Sequence, residues 1–189
     1  MGLFTTVNQK FERVAMHATR LRLLREQAKQ IGLALHIIEI PYPCSNAQYE
    51  QVMSAFIDKI KADNIQAVAF GDLYLQDIRD YRTKQMHGTG IEPIFPCWGI
   101  DTKALSATII EIGIKAKIVC IDPKQISSNF AGHNYDHTLL SALPDEIDPC
   151  GENGEFHTFV FDSPDFAKPI NISQGETVNR DGFIFTDWL

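Results

Sequence analysis

The 189-residue sequence lacks the features of a secreted, membrane-spanning or metal-stapled protein. Its four cysteines are widely spaced and form no Cys-x-x-Cys pair, which excludes the common zinc-finger and thioredoxin-type signatures and argues against a disulfide framework. No stretch approaches the roughly 20 apolar residues that a membrane helix needs, and no charged segment followed by an apolar run indicates a secretory signal. We therefore expect a cytoplasmic protein that does not bind membranes.

Positive charge is also scarce. The chain has 17 Lys and Arg residues against 24 Asp and Glu residues, a formal net charge of -7. Nucleic-acid binding requires clustered basic residues that neutralise phosphates. The richest basic stretch, Arg20, Arg22 and Arg25, falls on a predicted helix with Glu26 beside it, so we expect it to be a solvated helix face. The composition therefore predicts no nucleic-acid partner.

The sequence contains no glycine-rich phosphate-binding loop. Neither Gly-x-x-x-x-Gly-Lys, nor Gly-x-Gly-x-x-Gly, nor Ser-Gly-Gly-Lys-Asp-Ser occurs. In many nucleotide-binding proteins the backbone amides of such a loop hold the phosphates at the start of a helix. The amides that would hold a triphosphate are therefore not identifiable in this sequence.

Strand and helix patterns alternate over most of the chain. Short apolar runs predict strands at 3–6, 33–40, 67–70, 91–95 and 117–121, and helical spacing predicts helices at 16–31, 46–60, 75–86 and 102–112. Such alternation predicts parallel βαβ units, with ligands beyond the carboxyl ends of the strands. After residue 144 the pattern changes to short strands at 156–161, 169–172 and 183–186. The sequence thus predicts an α/β fold with a parallel sheet and a small β-rich C-terminal part.

The densest polar cluster lies between residues 148 and 158. Glu152, Asn153, Glu155 and His157 stand close together there, framed by glycines that permit close approach of a ligand. In an extended segment Glu155 and His157 would share one face. Such a group could coordinate Mg²⁺, bind an amine, or act as general acid and base. The alternative is a turn and strand entry with exposed polar side chains, and the residues alone do not decide between the two.

A second polar cluster follows the third predicted strand, where α/β proteins bind ligands. Gly71 and Asp72 come directly after this strand, and Arg79 and Arg82 lie three residues apart, so that one helix face would present both to a phosphate or carboxylate. The alternative is a salt-bridged surface helix. Trp98 precedes a glycine turn and would either stack on a base or fill the core. The candidate cofactor-binding residues are Gly71, Asp72, Asp77, Arg79, Arg82 and Trp98, and no residue is assigned as a metal ligand.

Three motifs occur in a recognisable order. They are Phe-Gly-Asp-Leu-Tyr-Leu-Gln-Asp at 70–77, Ile-Phe-Pro-Cys-Trp-Gly at 94–99, and Asp-Pro-Cys-Gly-Glu-Asn-Gly-Glu-Phe-His-Thr at 148–158. Together they resemble the diphthine–ammonia ligase family of N-type ATP pyrophosphatases, and the likeness runs from residue 5 to residue 187. The string Gly-Glu-Asn-Gly-Glu-Phe-His-Thr is its most specific part.

The resemblance implies a Rossmann-like fold of the adenine-nucleotide-α-hydrolase type. Residues 1–122 would form the nucleotide-binding domain and residues 123–189 a substrate-binding domain. Family members use ATP, with Mg²⁺, and ammonia to convert a carboxylate on elongation factor two into its amide, releasing AMP and pyrophosphate. A homodimer is compatible with the resemblance. By match to the family, Gly71 and Asp72 would lie at the nucleotide cleft. The residues implied to line the cleft where substrate or ammonia meets the phosphates are Glu152, Asn153, Glu155 and His157.

The sequence departs from the family at its start. Family members open with a strand, the Ser-Gly-Gly-Lys-Asp-Ser loop and a helix, whereas this sequence begins at the segment that follows them. The first βα unit is therefore expected to be missing, which would expose sheet edges. Two hypotheses follow. The chain is an ATP-dependent amide ligase that needs the missing unit, or it is a truncated or degenerate member that binds only nucleotide or a protein partner. Whether this chain is itself an enzyme is left open.

Overall fold

A computed structural model describes residues 1–8, 10, 13–14 and 19–189. These residues form the helices α1 (Leu21–Ile31), α2 (Asn46–Ala62), α3 (Gln76–Met86), α4 (Thr102–Glu111) and α5 (His137–Ala142). The strands are β1 (Gly2–Asn8), β2 (Arg13–Val14), β3 (Ala34–Ile40), β4 (Ala67–Ala69), β5 (Glu92–Ile94), β6 (Lys115–Ile121), β7 (Asn134–Tyr135), β8 (Phe156–Asp162), β9 (Gln174–Arg180) and β10 (Phe183–Trp188). No helix in these ranges is long and apolar enough to cross a bilayer.

Two small sheets contain the parallel strands that the sequence predicts. β1 pairs with β3 along its whole length, from Gly2 opposite Ala34 to Asn8 opposite Ile40, and β2 pairs antiparallel with the end of β1. β4 pairs in parallel with β5 over three residues. Parallel neighbours need a crossover connection, and α1 and α3 supply it. The prediction of βαβ units is therefore confirmed for these two pairs, while a continuous Rossmann-like sheet stays a prediction.

Helix α2 provides the core on which both parallel pairs pack. Its residues Ile57 and Ile60 are buried in a cluster with Val68 of β4, and Phe4 of β1 packs against the same cluster. A mainly apolar cavity of about 670 Å³ is lined by residues 2–4 of β1 and by all of β4. The two parallel pairs thus meet across a cavity and through α2, since the described strands β1 and β4 share no hydrogen-bonded register.

Strand β6 lies inside a five-stranded antiparallel sheet. β8 pairs with it along nearly its whole length, and β7 and β10 pair with it as well. The prediction that 117–121 continues the parallel sheet is therefore wrong. The physical reason is burial on both faces: Ile118 and Ile121 are 0% exposed, and an apolar run without alternation is the same in a central parallel or a central antiparallel strand. The domain division at residue 122 stays a prediction.

The helix ends follow their sequence signals closely. Ser45 and Gln48 form a reciprocal capping box at the start of α2, and Asp101 accepts a hydrogen bond from the backbone of Ala104 at the start of α4. Gly32 ends α1 in the left-handed conformation, with φ of 74°. The predicted first helix began at Met16, which lies outside the described residues.

One predicted strand is wrong. Residues 169–172 form no strand, and the edge strand of the antiparallel sheet is β9 instead. Ile170 is buried in a cluster with Trp188. Its apolar side chain therefore packs in the core although its backbone forms no strand pairing. Nearly all of β9 is exposed, so its sequence carries no apolar alternation.

The basic residue Arg20 also departs from expectation. It precedes α1 and binds Asp187 of β10 through Nε at 3.0 Å, and Arg13 of β2 binds the same carboxylate at 2.9 Å. Arg20 is therefore part of a tie between the two ends of the chain rather than of a solvated helix face. Arg22 and Arg25, on α1 itself, are both exposed, as expected for a solvated helix face.

Candidate functional site

Three loops meet at the carboxyl end of the β4–β5 pair. The backbone N–H of Leu73, which follows β4, donates to Oε1 of Glu152 at 2.7 Å. The hydroxyl of Tyr74 donates to Oδ2 of Asp148, also at 2.7 Å. The N–H of Gly99, which follows β5, donates to the carbonyl of Leu73 at 2.8 Å. The loops 71–75, 95–99 and 148–155 therefore form one assembly, which we call the three-loop site.

Loop 148–155 is organised around a carboxylate inside the protein. Glu155 is 2% exposed, and its Oε1 accepts hydrogen bonds from the backbone of Asp148 at 3.1 Å and from the side chain of Asn153 at 3.0 Å. Its Oε2 is buried without a hydrogen-bond partner among the described residues. Two of the predicted catalytic residues, Asn153 and Glu155, are thus brought together, with Glu155 in a position that shapes the loop.

The loop also requires a glycine. Gly151 has φ of 69°, and a Cβ at this position would stand 2.7 Å from the carbonyl oxygen of Phe156. An L-residue would therefore meet both backbone strain and a clash with the main chain. The backbone geometry of the loop therefore requires glycine at position 151.

Glu152 is the carboxylate at the contact between the loops. Burial raises the pKa of Glu152, and the nearby carboxylates of Asp72 and Asp148 add to this rise. Hydrogen bonds from the backbone of Leu73 and Tyr74 act in the opposite direction. The outcome is a partly buried carboxylate with a raised pKa at the meeting point of two motifs.

Tyr74 and Asp148 are functional candidates that the sequence reasoning missed. Asp148 is 8% exposed and holds the hydroxyl of Tyr74, and burial together with this hydrogen bond raises the pKa of Tyr74 to about 12. Both residues fall inside motifs that were quoted, but they are 74 positions apart. No local pattern links them, so the pairing could be found only from the fold.

His157 lies in strand β8, after loop 148–155, and takes no part in the contacts described above between the three loops. It is in β8, opposite Cys120 of β6, whereas Glu155 precedes the strand. Burial lowers the pKa of the His157 imidazole, which favours its neutral form at pH 7. The expectation that Glu155 and His157 share an extended face does not hold for Glu155, since β8 begins at Phe156.

The predicted arginine face of α3 packs on aromatic rings. Arg79 lies 4.5 Å from the ring centre of Trp98, and Arg82 lies 5.0 Å from that of Phe70. Arg82 also approaches Oδ2 of Asp72 at 3.6 Å. The residues after β4, on α3 and after β5 are therefore neighbours, and Trp98 is half-buried under an arginine. Their role in nucleotide binding stays a prediction.

Two of the predicted cofactor-binding residues, Asp77 and Gly71, make fewer contacts at the site than the others. Asp77 is exposed in the first turn of α3 and makes no hydrogen bond or ion pair with a described residue. Gly71 is exposed, with open space where a Cβ would lie, so packing alone does not require glycine there. Across the described ranges, no group of three or more His, Cys, Asp or Glu side chains is arranged to hold a metal ion.

Comparisons with known proteins were consistent with these motifs. Residues 101–186 match the family described as the diphthamide synthase C-terminal domain. Over 184 residues the chain is 25% identical to a protein of Danio rerio named diphthine–ammonia ligase, and the alignment covers 93% of this chain and 70% of that protein. The first match contains all of loop 148–155, and the second extends over most of the chain.

Proposed function

We propose that this chain is a member of the diphthine–ammonia ligase family, which the match of residues 101–186 and the 25% identity to a relative support. On that premise we propose that its three-loop site binds adenine nucleotide and supports ATP-dependent formation of an amide from a carboxylate. The substrates would be ATP, ammonia and a carboxylate on an elongation factor. The 25% identity supports the family, and the activity is our proposal for this chain.

The contact of Glu152 with Leu73 carries this proposal. It joins the loop that follows β4, where α/β proteins bind ligands, to the loop that contains the family's most specific motif. Asp148 and Tyr74 make a second contact between the same two loops. A nucleotide at the end of β4 would therefore lie beside the carboxylates of loop 148–155.

The chemistry requires two displacements. A carboxylate is a poor electrophile, so its oxygen first attacks the α-phosphorus of ATP, forming an acyl adenylate and releasing pyrophosphate. The nitrogen of ammonia then attacks the acyl carbon, the bond to AMP breaks, and the nitrogen loses a proton. We assign Glu152 as the acceptor of that proton, because its carboxylate lies at the loop contact and its pKa is raised.

The donor set offers no protein cage for Mg²⁺. Within the described residues no cluster of metal-ligating side chains exists, and Asp72, in the loop after β4, faces Arg82. Magnesium commonly stays bound to nucleotide phosphates and water with few protein ligands. No step proposed for this chain depends on the metal.

The second candidate function is binding without catalysis. It is favoured by the sequence, which has no glycine-rich phosphate loop. Such a chain would hold adenine nucleotide or a protein partner, and it would release no AMP.

One experiment separates the two. The chain is incubated with ATP, magnesium, isotopically heavy ammonium and an elongation factor that carries the unamidated carboxylate. AMP is measured by chromatography and nitrogen incorporation by mass spectrometry. Heavy nitrogen in the factor together with AMP supports the ligase, whereas nucleotide binding by calorimetry without AMP supports the binding protein. The absence of both contradicts the proposal.

A variant tests the role of Glu152. In Glu152→Gln the proton acceptor is lost, and we expect AMP formation to fall about 100-fold. Glu176→Gln, at an exposed position of β9, is the matched control and should keep the parent rate. Equal rates for both variants would show that Glu152 accepts no proton in the reaction.

A further inference from the structure

We propose that Arg79 of α3 is an oxyanion-binding residue beside the three-loop site, and that a phosphate or carboxylate group docks on the N–H edge of its guanidinium. This inference deepens the proposed function, on which it rests for the identity of the anion. It concerns one side chain and the two aromatic rings that hold it.

The guanidinium of Arg79 lies in a corner made by two rings. Its Cζ atom is 4.5 Å from the ring centre of Trp98 and 5.2 Å from that of Phe95. These rings are 6.1 Å apart and inclined at 70°. A guanidinium attracted to aromatic faces keeps its N–H groups at its planar edge, free for hydrogen bonds. The corner therefore fixes the orientation of the donor group in advance.

Among the residues that the structure describes, no acidic side chain neutralises Arg79. Within the described part of the chain its guanidinium forms neither a salt bridge nor a hydrogen bond, although the residue is half-buried. Arg82, one turn further along α3, instead faces Asp72 at 3.6 Å. A partly desolvated cation without a counter-charge is costly, and an anionic ligand would supply the missing acceptors through charge-assisted hydrogen bonds.

The position of the corner agrees with a ligand site. Phe95 follows β5, and Trp98 lies in the turn whose Gly99 donates to the carbonyl of Leu73. The N–H of Leu73 in turn donates to Glu152. Loops 95–99 and 71–75 therefore connect Arg79 to Glu152, so an anion on Arg79 would lie at the carboxyl ends of β4 and β5.

Phosphates and carboxylates share the chemistry that this edge recognises. Both present two oxygens that fit the paired N–H groups of a guanidinium. The nucleotide would supply a phosphate, and the acceptor substrate would supply a carboxylate. Titrations with separate probes distinguish these two sources.

The test measures anion binding by the emission of Trp98. The chain has two tryptophans, so Trp188→Phe leaves Trp98 as the single reporter beneath Arg79. Inorganic pyrophosphate and AMP are titrated as phosphate probes and glutarate as the carboxylate probe, all at constant ionic strength. Calorimetry on the chain with both tryptophans repeats each titration, because Trp188 is buried and its replacement could disturb folding.

We expect saturable binding of one probe class and a loss of about tenfold or more in Arg79→Lys, because an ammonium lacks the planar pair of donors. Arg22→Lys on α1 makes the same substitution at an exposed position away from the site and should bind as the parent does. Circular dichroism checks that both variants are folded. Binding of pyrophosphate or AMP identifies the nucleotide as the source, and binding of glutarate identifies the acceptor.

Unchanged affinity in Arg79→Lys and Arg79→Gln, or no saturation with any probe, would overturn the inference. The titrations involve no turnover, so they are independent of the proposed activity. Arg79-dependent binding in a chain that forms no AMP would retain the inference and reject the ligase activity.

Discussion

The carboxylate of Glu155 is buried in the protein interior. Its Oε1 satisfies the backbone N–H of Asp148 and the amide of Asn153, and its main-chain carbonyl accepts from the N–H of Asp122. A buried N–H that loses its acceptor costs the full desolvation of that group. The residue therefore stabilises the loop on which Asp148 and Glu152 are presented.

We expect Glu155→Leu to lower the free energy of unfolding by about 1–3 kcal/mol, because the N–H of Asp148 loses its acceptor. Glu155→Gln keeps an acceptor oxygen and should cost less. Urea unfolding followed by circular dichroism measures both, with Glu176→Gln as the exposed control. A Leu variant as stable as the parent would contradict a loop-shaping role.

At the scale of an element, loop 148–155 depends on backbone geometry as much as on side chains. Gly151 and Gly154 both have positive φ, but only Gly151 has no room for a Cβ. Gly154 is thus required only by its positive φ, whereas Gly151 is required by its positive φ and by the lack of space for a Cβ. Gly71, in the facing loop, has open space and no such φ.

We expect Gly151→Ala to destabilise the fold more than Gly154→Ala, and Gly71→Ala to be nearly neutral. Positive φ alone costs an L-residue about 1–2 kcal/mol, and Gly151→Ala adds the contact of 2.7 Å with the Phe156 carbonyl. Thermal unfolding of the three variants gives the order. Equal losses for Gly151→Ala and Gly154→Ala would show that the carbonyl moves away easily.

Local elements of this fold were predictable, and their pairing was not. The capping box of Ser45 and the left-handed Gly32 depend on neighbouring residues, so the sequence contains the whole signal. Strand β6 is buried on both faces, and its continuous apolar run is compatible with a parallel or an antiparallel sheet, so the sequence does not indicate which strands pair with it. The predicted strand at 169–172 fails for the same reason, since burial of Ile170 needs no ladder.

The candidate site was predictable as motifs and not as contacts. Arg79 and Arg82 share a helix face because of their spacing, and the structure brings both to aromatic residues at the strand ends. What the side chains touch is set by the fold. Neither the Tyr74–Asp148 hydrogen bond nor the arginine over Trp98 has a local signature, because the partners come from different elements.

At the scale of the whole molecule, the N-terminal α/β part and the antiparallel sheet are joined by separate ties. The three-loop site is one, and Asp187 with Arg13 and Arg20 is another. Burial would raise the pKa of Asp187, but hydrogen bonds from Arg20 and Arg13 outweigh it and hold the pKa at about 2. Its ordinary value is 3.8, so the ionised form is favoured in the folded protein.

The ion pairs of Asp187 with Arg13 and Arg20 make the free energy of unfolding depend on pH. The folded pKa lies below the unfolded one, so the stabilisation is present above about pH 4 and is lost as the pH falls through about 2. We expect Asp187→Asn to remove up to about 2 kcal/mol at pH 7 and to flatten this part of the pH profile. Urea unfolding at several pH values measures it, with Asp165→Asn, at an exposed position, as control. Parallel profiles for parent and Asp187→Asn would exclude the tie as the cause.

The central place of β6 has a consequence for hydrogen exchange. Its backbone is paired with β8 on one edge and with β7 and β10 on the other, and Ile118 and Ile121 have no solvent exposure. Deuterium can reach those amides only when neighbouring strands separate, whereas the outer edge of β9 is open to water. Among the described residues we therefore expect the slowest-exchanging amides in β6, where their rate would report the opening of the whole antiparallel sheet.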